Sequence, residues 1–306
     1  MHVPQMPWIT IPEIPIFPAF DLPGVGHVDT LTIKPFGTLV ATGVYIGWRL
    51  CQRQAKRLEG IDVETMNQFF GWIIGGGFIG GHVFDVLLYH PDKILKAKNA
   101  MEALMELVFI WRSQSSFGGF MGAILGLIAW KYRFKVKDTL AYCDTAGSTF
   151  PIGWVFGRMG CSVAHDHPGM KSDAWFAVPW NGNPANGRFD LGLYEMLFTI
   201  PLALTFLYLM RRPRPYGFYI GLMSVAYAPT RFAMDFLRAQ DVHDADPRHL
   251  GLTPAQWLSM ALLGMGIFFL LRAARAAERG ETPTYRPGTM DDAGAGPRKE
   301  SHAQAR

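Results

Sequence analysis

Charge is scarce in this sequence. Only 18% of its 306 residues are Asp, Glu, Lys or Arg, against 49% that are hydrophobic. A soluble globular domain carries about 25% charged residues, so the balance argues against a water-soluble fold. Cysteine is scarce too. Cys51, Cys143 and Cys161 are widely spaced and form no CxxC, which argues against a disulfide framework and a cysteine-rich metal centre. A nucleic-acid footprint is missing: the formal net charge is only +4, and the basic residues sit at the ends of apolar segments. The start, MHVPQMPWITIPEIPIFPAF, has no basic stretch ahead of an apolar core, so no cleavable signal peptide is expected. No internal repeat is evident, which weighs against an inverted-repeat transporter.

What the sequence does hold is apolar runs. Seven of them, at roughly 36–51, 67–90, 115–131, 138–158, 191–210, 216–238 and 255–272, approach or exceed the length a helix needs to cross a bilayer. The 33 glycines suit close packing of such helices. The expected fold class is therefore an all-α integral membrane protein with about seven transmembrane helices. Dense basic clusters follow the first, third, fifth and seventh runs: Arg49, Arg53, Lys56 and Arg57; KYRFKVK; RRPRP; and Arg272, Arg275 and Arg279. Positive charge marks the cytoplasmic side, which puts the N-terminus outside and the C-terminus in the cytoplasm. Lys93, Lys96 and Lys98 run against this but do not outweigh four clusters. The segment 101–111 is amphipathic and short, and suits the membrane interface. The tail from about Glu278 is polar and expected to be disordered.

An arginine inside a membrane costs roughly 2.5–3.5 kcal/mol on insertion scales, so Arg158, Arg231 and Arg238 are functional candidates. In the sixth run Tyr227, Arg231, Asp235 and Arg238 follow at intervals of four, four and three and share one helix stripe. Such a stripe faces either an interior or a wet cavity. An internal Arg231–Asp235 pair would neutralise itself but leave Arg238 in excess. Pro229 interrupts the helix ladder there.

The fourth run ends in GRMGCSVAHDHPG, residues 157–169. Gly157 and Gly160 flank the arginine and permit close approach by a helix or an anion, and Gly169 closes the segment. For His165, Asp166 and His167 three readings compete. They are a solvated loop, a metal site, or an acid/base group titrating near neutral pH. Neighbouring H-D-H side chains diverge, and no third-ligand spacing is present, so no metal and no cofactor are expected. Cys161 reads as a small buried hydrophobe more readily than as a nucleophile. SSFGGFMG, residues 115–122, resembles an exposed-amide turn in which Gly118 and Gly119 would bind an anion.

Taken together, these stretches resemble the prolipoprotein diacylglyceryl transferase family. The likeness is carried by DTAGSTFPIGWVFGRMG (Asp144, Pro151, Gly153, Gly157, Arg158), SSFGGFMG, LYE (Leu193, Tyr194, Glu195), AYAPTRFAMDFLR and LTPAQWLSM. It covers about residues 34–275. The resemblance implies a seven-helix enzyme of the bacterial inner membrane, with a periplasmic segment at 1–33, a membrane domain at 34–275 and a cytoplasmic tail at 276–306. It implies transfer of the diacylglyceryl group of phosphatidylglycerol to the lipobox cysteine of prolipoproteins. Arg158 and Arg231 would be the essential arginines. Gly118, Gly119, Gly157, Gly160, Gly169, Glu195, Tyr227, Asp235 and Arg238 would contact substrate. Four positions depart from the family pattern: Phe117 stands where it has histidine, Cys161 where it has asparagine, Asp166 where it has glutamate, and Phe36 where it has tyrosine. With the family's histidine absent, His165 or His167, oriented by Asp166, is the expected proton acceptor.

Overall fold

The computed structural model describes residues 5–22, 26–28, 30–97, 99–108, 115–242 and 248–289. Helices dominate it, and a helix covers each of the seven expected runs: α1 (Pro35–Arg57), α2 (Val63–Phe84), α5 (Ser116–Arg133), α6 (Thr139–Ala164), α7 (Leu191–Leu209), α8 (Phe218–Met234) and α9 (Pro254–Glu278). Two shorter helices, α3 (Asp92–Leu95) and α4 (Ala100–Val108), lie between α2 and α5. The amphipathic segment expected at 101–111 is α4 as far as Val108; its remainder lies outside the described residues. Among the described residues three helices are long and apolar enough to cross a membrane: Val63–Leu88, which continues α2 through a π-helical turn, Leu191–Leu209 and Pro254–Glu278. Their outer faces expose Phe78, Ile79, Leu204, Leu258 and Phe268. An apolar surface of that kind suits lipid rather than water, and the molecule has the character of a membrane protein.

Helices pair where glycines meet. A Cβ on Gly76 would lie 2.5 Å from the Gly122 carbonyl oxygen, and one on Gly80 2.5 Å from the Gly122 Cα, which joins α2 to α5. Gly43 against the Gly153 carbonyl joins α1 to α6 in the same way, and Gly266 against Ser224 joins α9 to α8. Backbones that approach this closely gain packing and dispersion contacts that lipid cannot match. At the end of the molecule that carries the basic clusters, Trp130 is fully buried against the edges of Phe69 and Tyr142. Asp144, also buried, accepts from the Ile220 amide in the first turn of α8. It thereby supplies the acceptor that Gly217, the residue preceding α8, lacks.

Strands were not foreseen. β1 (Ile14–Phe17) pairs antiparallel with β4 (Leu31–Ile33), and β2 (Phe20–Leu22) pairs with β3 (Gly26–Val28). Between α6 and α7, β5 (Pro168–Lys171), β6 (Val178–Pro179) and β7 (Gly187–Asp190) form an antiparallel sheet in the order β5-β7-β6. Part of the tail expected to be disordered carries contacts. Tyr285 donates to the Met210 carbonyl at 2.7 Å, Arg286 donates to the Ile61 carbonyl at 2.7 Å, and Thr284 bonds Glu59. The rest of the tail, 290–306, lies outside the described residues.

Gly122→Ala puts a methyl group 2.1 Å from the Gly76 carbonyl and is expected to destabilise the protein by about 1–3 kcal/mol. Gly71→Ala meets open space on the same helix pair and is expected to leave stability unchanged or raised. Thermal melts in detergent check the contrast, and equal midpoints would contradict the glycine seam.

Candidate functional site

Arg158 stands near the C-terminal end of α6, and its side chain is largely buried. Its Nε lies 2.6 Å from Glu195 Oε1. Glu195 sits in the first turn and a half of α7, whose start is fixed by Asp190: the Asp190 side chain accepts from the Leu193 amide at 3.0 Å. A Cβ on Gly192 would lie 2.9 Å from the Ser162 amide nitrogen. Glycine at that position therefore lets α7 come close enough to α6 for the ion pair to form.

Four further groups fix the guanidinium. Trp154 lies one turn back on α6, its ring 4.6 Å from the Arg158 Cζ, and its indole N–H donates to Glu195 Oε1 at 3.3 Å. Tyr227 of α8 accepts from Arg158 Nη2 at 3.3 Å and donates to Glu195. Arg158 Nη1 points the other way, 3.5 Å from His167 Nε2 and 3.7 Å from Cys161 Sγ. Because Arg158 donates toward Nε2, and Asp166 Oδ1 faces His167 Nδ1, the arrangement fits a neutral imidazole. In that form Nδ1 donates to Asp166 and Nε2 accepts from Arg158. The result is a dyad aimed at the arginine.

His165 faces elsewhere. It ends α6 in the left-handed conformation, φ 51°, so the chain turns sharply and successive side chains diverge. Its Nδ1 lies 3.0 Å from Asp190 Oδ2 and its Nε2 3.0 Å from the Ile9 carbonyl oxygen. The Trp8 ring stacks on it at 3.4 Å. Burial pushes the Asp190 carboxyl up, and the imidazole pulls it partly back. His165 thus ties the N-terminal segment to Asp190 at the start of α7.

The second cluster is built at the end of α8. The helix gives way to a 3-10 turn at Asp235–Leu237, and Asp235 is fully buried. Asp235 Oδ1 lies 2.7 Å from Arg231 Nη1 and 3.4 Å from Arg238 Nε, and the Thr253 hydroxyl donates to Oδ2. One carboxylate thus stands between two guanidiniums. Tyr227 and Arg231 are one turn apart on α8, about 6 Å along its axis, so α8 carries a contact to each cluster. Gly169 ties the outer loop to this end. It bridges to Arg238, its carbonyl accepts from Arg188 Nη1 at 3.2 Å, and a Cβ there would meet Phe189 at 2.6 Å. Arg188 in turn grips Asp241 at 2.6 and 2.8 Å and holds that carboxyl well below the usual range.

The glycines divide by surroundings. A Cβ on Gly157 would stand 3.9 Å from the Trp154 ring, an ordinary contact, whereas Gly160 packs on Phe36 of α1. Gly118 and Gly119 belong to the α2–α5 seam. The Gly118 amide bonds Ser115 Oγ at 3.1 Å and the Gly119 amide bonds the Ser115 carbonyl at 2.8 Å. Those two amides are engaged within the helix start, so the exposed-amide turn expected there is not formed. A small recess lies between Gln54, Asp144, Ser148, Tyr216, Tyr219 and Tyr285 and includes neither Arg158 nor Arg231. Sequence reasoning missed Trp154, Asp190 and Thr253. The only local signal for Trp154 was an aromatic one helical turn before a buried arginine.

Arg158 with Glu195 and Tyr227, and Arg231 and Arg238 with Asp235, form two guanidinium clusters linked through α8, with His167 and Asp166 beside the first. These are the features of a mostly helical membrane protein that handles an anionic substrate. A sequence model described as prolipoprotein diacylglyceryl transferase matches residues 23–272, and the chain belongs to that family. A relative in Idiomarina loihiensis, named "Phosphatidylglycerol--prolipoprotein diacylglyceryl transferase", is 28% identical over 274 residues, spanning 86% of this chain and 97% of its own length. Proteins of the same name in Nitratidesulfovibrio vulgaris and Janthinobacterium sp. (strain Marseille) are 29% and 30% identical, spanning 86% and 70% of this chain and 97% and 78% of their own lengths.

Asp235→Ala leaves two guanidiniums without their carboxylate and is expected to cost about 3–5 kcal/mol. Thr253→Ala removes one hydroxyl bond and is expected to cost about 1 kcal/mol. Equal losses in a detergent unfolding titration would contradict the central place given to Asp235.

Proposed function

We propose that the protein transfers the diacylglyceryl group of phosphatidylglycerol to the lipobox cysteine of prolipoproteins. The observation that carries this reading is a buried arginine, Arg158, with an Asp–His dyad beside it. The substrate thiol attacks the glycerol carbon that bears the phosphate. A carbon–sulfur bond forms, the carbon–oxygen bond to phosphate breaks, and glycerol phosphate leaves. The departing phosphate needs cationic donors. Arg158 and Arg231 supply planar guanidinium forks that remain charged, and such donors act strongly in a site that excludes water. The thiol is mostly protonated at neutral pH, and His167 Nε2, with Asp166 at Nδ1, is the group suited to take its proton. Tyr227 and Glu195 orient Arg158, and Asp235 and Arg238 do the same for Arg231. Gly157 leaves room for the lipid headgroup. Gly160 and Gly169 let neighbouring segments close around the site, and Gly118 and Gly119 act through helix packing.

We place the protein in the bacterial inner membrane with seven spans, α1, α2, α5, α6, α7, α8 and α9, the N-terminus in the periplasm and the C-terminus in the cytoplasm. Contacts between Tyr285 and Met210, Arg286 and Ile61, and Thr284 and Glu59 gather the basic ends of α1, α7 and α9 on one side. Contacts among His165, Ile9, Gly169 and Arg238 gather the opposite ends. That separation supports the positive-inside orientation. It also opens the site toward the side where an exported prolipoprotein would present its cysteine.

Purified protein given phosphatidylglycerol with a labelled headgroup is expected to release glycerol phosphate only when a lipobox peptide is added. Lipid binding without release would overturn the reading. His167→Ala is expected to lower kcat roughly 100-fold, while His165→Ala acts mainly on stability. A kcat lost equally in both would remove His167 from the role of base.

A further inference from the structure

We propose that Cys161, Asp166 and His167 form a binding site for a divalent cation of the zinc class at the C-terminal end of α6. The sequence spacing argues against a metal here because it counts only the H-D-H neighbours. The fold changes the ligand set. The left-handed turn at His165 sends that ring to Asp190 and Ile9 and folds Asp166 and His167 back over the last turn of α6, where Cys161 sits. A sulfur, a carboxylate oxygen and a ring nitrogen then lie within 4.8 Å of one another.

The donor chemistry is that of a borderline-soft ion. Thiolate, imidazole and carboxylate are zinc's three ligand types, and three protein ligands leave a fourth position open. The charges also fit. Coordination by the thiol releases its proton to solvent, so thiolate and carboxylate together neutralise a dication. Arg158, whose Nη1 stands 3.5 Å from His167 Nε2 and 3.7 Å from Cys161 Sγ, is itself paired with Glu195 at 2.6 Å. The negative end of the 26-residue helix α6 adds to the attraction. Access is present, because Cys161 is buried but Asp166 is exposed and His167 half-buried. The ligands are also held from behind: the His167 carbonyl accepts from the Leu191 amide at 3.2 Å, and Pro168 pairs with Asp190. An ion in this site occupies the imidazole that would accept the thiol proton and so switches transfer off. That consequence rests on the reading of His167 as base, whereas the binding itself does not.

The test uses the full chain in detergent, without a polyhistidine tag, stripped of metal and titrated with Co²⁺. One equivalent is expected to give a thiolate-to-cobalt charge-transfer absorption, which Zn²⁺ then bleaches. Cys161→Ser is expected to lose that absorption, and the Cys51→Ser/Cys143→Ser double variant to keep it. Asp166→Asn/His167→Gln, changed at more exposed positions, is expected to lose it as well, which guards against a folding defect in Cys161→Ser. No absorption from the folded protein, or one that survives in either ligand variant, would overturn the proposal. If the transferase reading alone failed, the cobalt spectra would be unaffected and only zinc inhibition of transfer would be missing.

Discussion

The contact between Arg158 and Glu195 is the constraint from which the rest of the site follows. A guanidinium buried among apolar helices needs a carboxylate within reach, because an unpaired charge there carries a desolvation cost of several kcal/mol. Glu195 can meet it only if α7 starts at the right height and lies close to α6. Asp190 sets the height by capping the first turn of α7, and Gly192 permits the approach. Asp190 also holds His165, and His165 holds the N-terminal segment through Ile9 and Trp8. One ion pair is therefore tied to a helix start, a helix end and a strap of chain far away in sequence.

The second cluster solves the same problem differently. Asp235 serves both Arg231 and Arg238 while its carboxylate is fully buried. Planar guanidiniums are suited to a phosphate, and a lipid phosphate is the anion a membrane offers. Tyr227 touches the first cluster and stands one turn from Arg231. The proposed reaction uses this spacing, with a phosphate between arginines and a proton acceptor on the side where Arg158 Nη1 points.

The apolar runs made the helices legible in the sequence, and each expected run falls on one. Helix starts were not read from their caps: Asp190 and Thr253 cap α7 and α9, and neither stood out in the sequence. The strands were hidden: β5, β6 and β7 are short and lie among prolines and glycines, with too few residues to show alternation. The arginines announced themselves by their cost in an apolar segment, but their partners did not. The stripe of Tyr227, Arg231, Asp235 and Arg238 was visible as one helix face. Its division was not, because the α-helix ends at Met234 and Arg238 follows a 3-10 turn. Likewise H-D-H read as three neighbours. One left-handed residue separates His165 from His167, and a single sequence does not announce a φ of 51° at a histidine.

The account stands on Arg158 as the ligand of the departing phosphate. Binding of free glycerol phosphate to the purified protein and to Arg158→Lys tests that directly. Lysine keeps the charge but loses the two-point fork and the pairing with Trp154, so affinity is expected to fall roughly tenfold or more. Equal affinity in the two proteins, with both folded, would contradict the account.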